Sequence, residues 1–236
     1  MVSSIIQYGN EWTILLISII TLIVAKLLFT LYLGKRIYDK RKESGKIELD
    51  FRFAVFFFSL SFCIARIMFM YFDFFMTSFD PNLYYLSPNI IVWKLAILIA
   101  QSSIALLYFI VDLKVLKFKL KGIFAYIIMV ITLIQVFYPV SSQAEFELVS
   151  TLGMIGQLLV IFVPLIFFYV GYKSPALRKT SYMVAIGILI FFIGGLILNG
   201  SIVSLIGSTV LAYFMSSILK IIGLLLFVYG SIKFVL

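Results

Sequence analysis

The chain reads as an all-α, polytopic integral membrane protein, a seven-transmembrane-helix bundle with its N-terminus outside and its C-terminus cytoplasmic. Three observations predict this. Of the 236 residues, 64% are hydrophobic and 12% charged, the reverse of the balance that keeps a globular domain in solution. The apolar residues gather into seven runs, near 12–34, 53–76, 89–111, 122–140, 149–171, 181–199 and 208–233. Each lasts about 19 to 25 residues, which suits a helix crossing ~30 Å of hydrocarbon, whereas a barrel strand alternates over ~9 to 11. Basic residues alternate with the runs: Lys35 to Arg52, Lys114 to Lys121, Lys173 to Lys179 and Lys233 occupy every second connection, and the others carry none. Cytoplasmic loops collect Lys and Arg, so that alternation sets the orientation.

Taken in order, the first run is a retained span and not a cleaved signal peptide, because residues 1–11 hold no Lys or Arg and the run is too long. The polar stretch 35–52 is expected to continue the first helix beyond the membrane and turn near Gly45. Loop 77–88, with Pro81, Pro88, Tyr84 and Tyr85, suits an interfacial aromatic belt, and 141–148 reads as a loop carrying Glu145 and Glu147. Pro164 should bend the fifth helix, since it withdraws one amide donor. Gly153, Gly156, Gly187, Gly194, Gly195, Gly223 and Gly230 let helix backbones approach in the second half of the chain. Short connections make consecutive spans antiparallel neighbours, so residues 1–236 form one membrane domain.

The formal charge of +9 does not point to nucleic acid. Fifteen of the nineteen basic residues belong to the alternating connections, where they orient the chain and meet anionic lipid. The chain has no histidine and one cysteine, Cys63, a small residue expected inside the second span. That composition removes Ser-His-Asp and Cys-His nucleophiles, thiolate clusters and imidazole-ligated metal. Neither catalysis nor a cofactor is expected.

Function is sought in the ionisable residues inside the spans, because a mid-membrane charge costs ~2.5 to 3.5 kcal/mol on insertion scales and should face protein or a wet cavity. Lys26, about two turns from the inner end of the first span, is expected to snorkel to the headgroups. Ser59, Cys63, Arg66, Met70 and Asp73 share one helical stripe, and Lys94, Gln101, Ala105, Tyr108 and Asp112 share another on the third span. Asp73 and Lys94 fall at similar depth and are expected to form a structural ion pair. Arg66 and Lys220 then lack a carboxylate at their own depth. With Gln101, Tyr213 and Ser217 they make a candidate ligand site, a cationic cavity for a small anionic or lipidic ligand. Gln135 and Gln157 add polar groups at intermediate depth.

Lys220, within SSILKIIGLLL, resembles the Schiff-base lysine of microbial rhodopsins. The chain departs from that family at Ser216, where an acidic residue belongs, in the third helix WKLAILIAQSSIALLY, and in having no Trp after Trp93. Retinal is therefore not expected. In size, topology and lack of catalytic motifs the whole chain resembles the seven-helix membrane modules of prokaryotic sensors and receptors. That resemblance implies a plasma-membrane sensor. Because the chain ends at Leu236, just past the last span, its signal is expected to leave through a separate cytoplasmic partner at the basic loops. The alternatives are a transporter or channel for an anionic solute, and a non-catalytic subunit or assembly factor of a membrane complex.

Overall fold

A computed structural model describes residues 9–46, 49–198 and 200–234; the side chains of Ser44, Met154, Gln157 and Ser201 also lie outside the description. The chain is all-α, and no strand occurs among the described residues. Five helical stretches are long and apolar enough to cross a membrane: Asn10–Glu43, Phe51–Met76, Asn89–Lys114, Pro175–Leu196 and Thr209–Lys233. This is a helical membrane protein.

Helix α1 (Asn10–Ser44) has 35 residues, about 52 Å at ~1.5 Å per residue, and so extends well past the hydrocarbon. It stops at Gly45, whose left-handed backbone (φ 73°) lets its amide close on the Arg41 carbonyl. Helix α2 (Phe51–Tyr71) starts where the Asp50 carboxylate accepts the Phe53 amide. It ends in a π-helical turn, Phe72–Met76, closed by the Thr77 amide and hydroxyl on the Phe72 carbonyl. Helix α3 (Asn89–Lys114) follows.

The fourth and fifth apolar runs differ from expectation. Helix α4 (Ile123–Phe137) has 15 residues, about 22 Å at ~1.5 Å per residue. The fifth run is split between α5 (Gln143–Leu159) and α6 (Phe162–Lys173), because Pro164 has no amide to donate to the carbonyl one turn earlier. Tyr108 compensates by donating its hydroxyl to the Leu159 carbonyl. The segment 143–148, expected as loop, is the first turn and a half of α5. It is held by a capping box: Ser142 Oγ accepts the Glu145 amide while the Glu145 carboxylate accepts the Ser142 amide. Phe146 lies against Trp93, Gly156 against Gln101 and Leu159 against Tyr108. Thus α5 and then α6 run alongside α3 in the same direction.

Helices α7 (Arg178–Leu196) and α9 (Thr209–Lys233) flank the short α8 (Gly200–Ile206). Val184 lies by Gly230, Gly187 by Gly223 and Gly194 by Ser216, so α7 and α9 are antiparallel. A Cβ on Gly187 would stand 2.4 Å from the Phe227 amide nitrogen, and one on Gly223 2.4 Å from that of Phe191. Backbone touches backbone there. Around the bundle, α1 packs on α2, α2 on α3, α3 on α4, α4 on α5, α6 on α7, α7 on α9, and α9 returns to α1. The helices close a ring. At the end carrying the basic loops the core is aromatic, with Phe51 tilted against Phe167 and edge-on to Phe227 and Phe234.

Candidate functional site

Lys26 is not at the headgroups. On α1 the residues Leu15, Ile19, Leu22, Lys26, Thr30 and Leu33 are all buried, at steps of three and four, so the lysine occupies the middle of the inward stripe. Its side chain is 3% exposed, and its ammonium donates to the Phe62 carbonyl at 3.2 Å. It also stands 5.4 Å from the Phe62 ring and 5.7 Å from the Phe191 ring, a geometry in which the ring faces stabilise a cation. The expectation of snorkelling is corrected: helix phase overrides nearness to the interface.

Along α2 the polar stripe faces α1 as its periodicity requires. Ser59 bonds Thr30 at 2.8 Å, and Cys63 turns its thiol to the Ile23 carbonyl at 3.8 Å. One turn further, Arg66 leaves this seam and projects into a cavity of about 190 Å³ between α1, α2, α3, α7 and α9. Lys26, Lys220 and Gln101 line the same space, with Phe62, Phe69, Ile97, Phe191 and Phe192 as apolar walls.

The three cations lie within Coulomb range of one another, and none of them is in an ion pair with a described residue. Two buried polar atoms at the cavity have no hydrogen-bond partner among the described residues, Arg66 Nε and Gln101 Oε1. An unpaired buried charge is expensive by several kcal/mol, and an unmet buried polar atom adds ~1 to 3. Arg66, Lys220 and Gln101 are thus brought together as the sequence suggested. Lys26 completes the set; nothing in the sequence signals its facing, because α1 is apolar on its exposed side too, at Ile17, Val24, Leu27 and Leu28.

The other expected members go elsewhere. Ser217 is buried beside Ser216, whose hydroxyl donates to the Gly194 carbonyl, and it is not among the cavity's lining residues. Tyr213 lies further toward the opposite end, edge-on to Phe79 at 6.3 Å between ring centres, and shares the electrostatic neighbourhood of Asp73 and Tyr84. Asp73 and Lys94 do not pair. The ammonium of Lys94 donates to the Tyr138 carbonyl at 2.6 Å, and the charge nearest in influence to Asp73 is Arg66. The reason is local: α-helical phase was extended through residue 73, but the π-helical turn begins at Phe72 and re-aims every side chain in it.

Two further polar groups are structural. Asp112 at the end of α3 accepts the Leu120 amide at 3.0 Å and the Gly122 amide at 2.7 Å, ordering the basic loop before α4. Gln135 donates to the Val149 carbonyl at 2.8 Å, tying α4 to α5. The arrangement as a whole has one chemical competence: three convergent cations, an unmet donor and an unmet acceptor, enclosed by aromatic and aliphatic walls. It can bind an anion. Comparison with protein-family models, with curated proteins and with solved structures gave no match for this chain.

Proposed function

We propose that the chain crosses the bilayer seven times, with its N-terminus outside and C-terminus cytoplasmic, and acts in the plasma membrane as a sensor. Its intramembrane cavity takes a small anionic or lipidic ligand, and the signal passes to a separate cytoplasmic partner. The observation that carries this reading is the convergence of Lys26, Arg66 and Lys220 on one cavity, with no carboxylate in ion-pair contact among the described residues. Five helices supply the walls, so an anion drawing the cations together changes how those helices pack. That packing change reaches the basic loops, where anionic lipid and a signalling partner are engaged. Short α4 is accommodated by local bilayer thinning, and α5 with α6 makes one kinked crossing.

The test is equilibrium binding of phosphate- and carboxylate-bearing compounds to protein in lipid nanodiscs, compared with Arg66→Gln/Lys220→Gln. The double variant is expected to lose at least ten-fold in affinity. Unchanged affinity for every anion that binds removes the cavity from the function.

A second reading, transport of an anionic solute, is favoured by the interruption between α5 and α6, since broken helices line the substrate paths of many transporters. Flux in proteoliposomes separates the two: a sensor binds without net transfer, and a transporter empties the vesicle of its anion.

A further inference from the structure

Next to the cationic cavity lies an apolar slot of about 90 Å³. Leu158 and Pro164, on either side of the α5–α6 break, form one wall, and Leu189 and Ile193 of α7 form the other. Phe192 lines both the slot and the cavity. Gly195 lines the cavity just beyond it, and a Cβ built there meets no atom within 4 Å, so α7 leaves open space where the two approach. The slot's rim lies on the bundle's exterior, with Leu158 61% and Ile193 48% exposed. That surface faces lipid.

We infer that the ligand is a single-chain phosphate monoester amphiphile, its headgroup held among Lys26, Arg66 and Lys220 and the first part of its alkyl chain seated in the slot between the α5–α6 break and α7. The inference deepens the proposed function and rests on its reading of the cavity as an anion site.

Charge and hydrogen-bonding capacity select the headgroup. Three basic side chains, Lys26, Arg66 and Lys220, converge on the cavity, and among the described residues one carboxylate, Asp73, shares the electrostatic neighbourhood of Arg66, so basic groups outnumber acidic ones there. A phosphate monoester carries about −1.5 to −2 at neutral pH, whereas a fatty acid brings a single charge. The unmet atoms agree. Arg66 Nε requires an acceptor and Gln101 Oε1 requires a donor; a carboxylate only accepts. Phosphoryl oxygens accept from Arg66 and the lysines, and the P–OH of the monoanion, or a neighbouring glycerol hydroxyl, donates to Gln101. The slot selects a chain, because its walls offer no charge or side-chain hydrogen-bonding group to a second polar group. Headgroup and chain therefore enter sideways from the bilayer, past Phe192.

The experiment measures binding of radiolabelled lysophosphatidate to the full chain in phosphatidylcholine nanodiscs. Competitors are lysophosphatidylcholine, glycerol 3-phosphate and inorganic phosphate. Lysophosphatidate is expected to bind at least ten-fold more tightly than glycerol 3-phosphate, and lysophosphatidylcholine, with the same tail and no net charge, is expected not to compete. Ile193→Trp and Leu158→Trp, two lipid-exposed positions that tolerate bulk, fill the slot from opposite walls. Each should weaken lysophosphatidate at least ten-fold and leave inorganic phosphate unchanged. Equal affinity for lysophosphatidate and glycerol 3-phosphate, with no effect of either tryptophan, overturns the slot while the anion cavity stands. Competition by lysophosphatidylcholine at equal strength overturns the phosphate headgroup. If Arg66→Gln and Lys220→Gln leave all phosphate binding unchanged, the cavity reading fails with it.

Discussion

Helices α7 and α9 meet in two very different ways within a few turns. At Gly187 and Gly223 nothing separates them, and each glycine lies against the other helix's backbone. Beside Gly194 the pair still touches, with Ser216 and the stem of Lys220 against the glycine, but Gly195 and the end of Lys220 border an open cavity. One stretch is backbone against backbone, and the other borders a space into which basic side chains of three helices converge. The contrast locates stiffness and compliance. A seam with backbone in van der Waals contact has a single arrangement, whereas a cavity walled by unpaired cations exchanges one arrangement for another when an anion enters. Motion on binding should pivot about the glycine seam and be expressed at the walls of the cavity.

The largest expected effect breaks the seam. Gly187→Val places carbon where the Phe227 backbone already is, and should cost about 3 kcal/mol, read as a fall in thermal midpoint in detergent. Gly195→Ala, eight residues along the same helix with open space at its Cβ, should stay within about 0.5 kcal/mol of the parent. Equal losses at the two positions would erase the distinction between seam and cavity.

A smaller effect has the opposite sign. Lys220→Met removes a charge that no described carboxylate neutralises, and should stabilise the protein by about 2 kcal/mol while abolishing anion binding. Destabilisation instead would mean that the ammonium has a structural partner in the folded bundle.

The smallest effect sharpens the comparison from the far wall. Helix α5, whose Gly156 lies against Gln101, begins at the box of Ser142 and Glu145. The hydroxyl and amide of Ser141, followed by those of Ser142, hold the Glu145 carboxyl below its ordinary range. A depressed carboxyl stabilises the fold fully above its unfolded-state value, about 4.3, and the contribution disappears as pH falls through the folded value. Corrected hydrogen exchange at the start of α5 should therefore rise as pH drops below about 4, with α7 and α9 at their seam still protected. Exchange rising equally in both regions would contradict it.

Much of this division was legible in the sequence. Long apolar runs announced α1, α2, α3, α7 and α9, and glycines at 187 and 223 announced close approach without naming the partner. Pro164 announced a bend, and the structure makes it a break. Two expectations about charged residues fail, each for its own reason. Depth along α1 does not say which way Lys26 faces, and a helix apolar on both its buried and its exposed sides, as at Leu22 and Val24, does not either. Similar depth suggests a pair between Asp73 and Lys94, but the π-helical turn that holds Asp73 does not continue the α-helical phase of α2. The serine-to-glutamate spacing of 142 to 145 was a readable start signal for α5. The meeting of Lys26 with Lys220 was not readable, because it depends on α1 packing against α9, a contact between helices far apart in the chain that no hairpin rule supplies.

That closure also imposes an order of events during synthesis. Lys26 enters the membrane with the first helix, where the Phe62 carbonyl of the second comes to accept its ammonium, and Arg66 enters with that second helix. Lys220 arrives only after every other wall of the cavity has been made. Until then the ring is an open arc, its interior accessible to water or lipid from one side. The mutual repulsion of three cations is thus deferred to the final docking step, when the rest of the bundle's packing is already in place to oppose it.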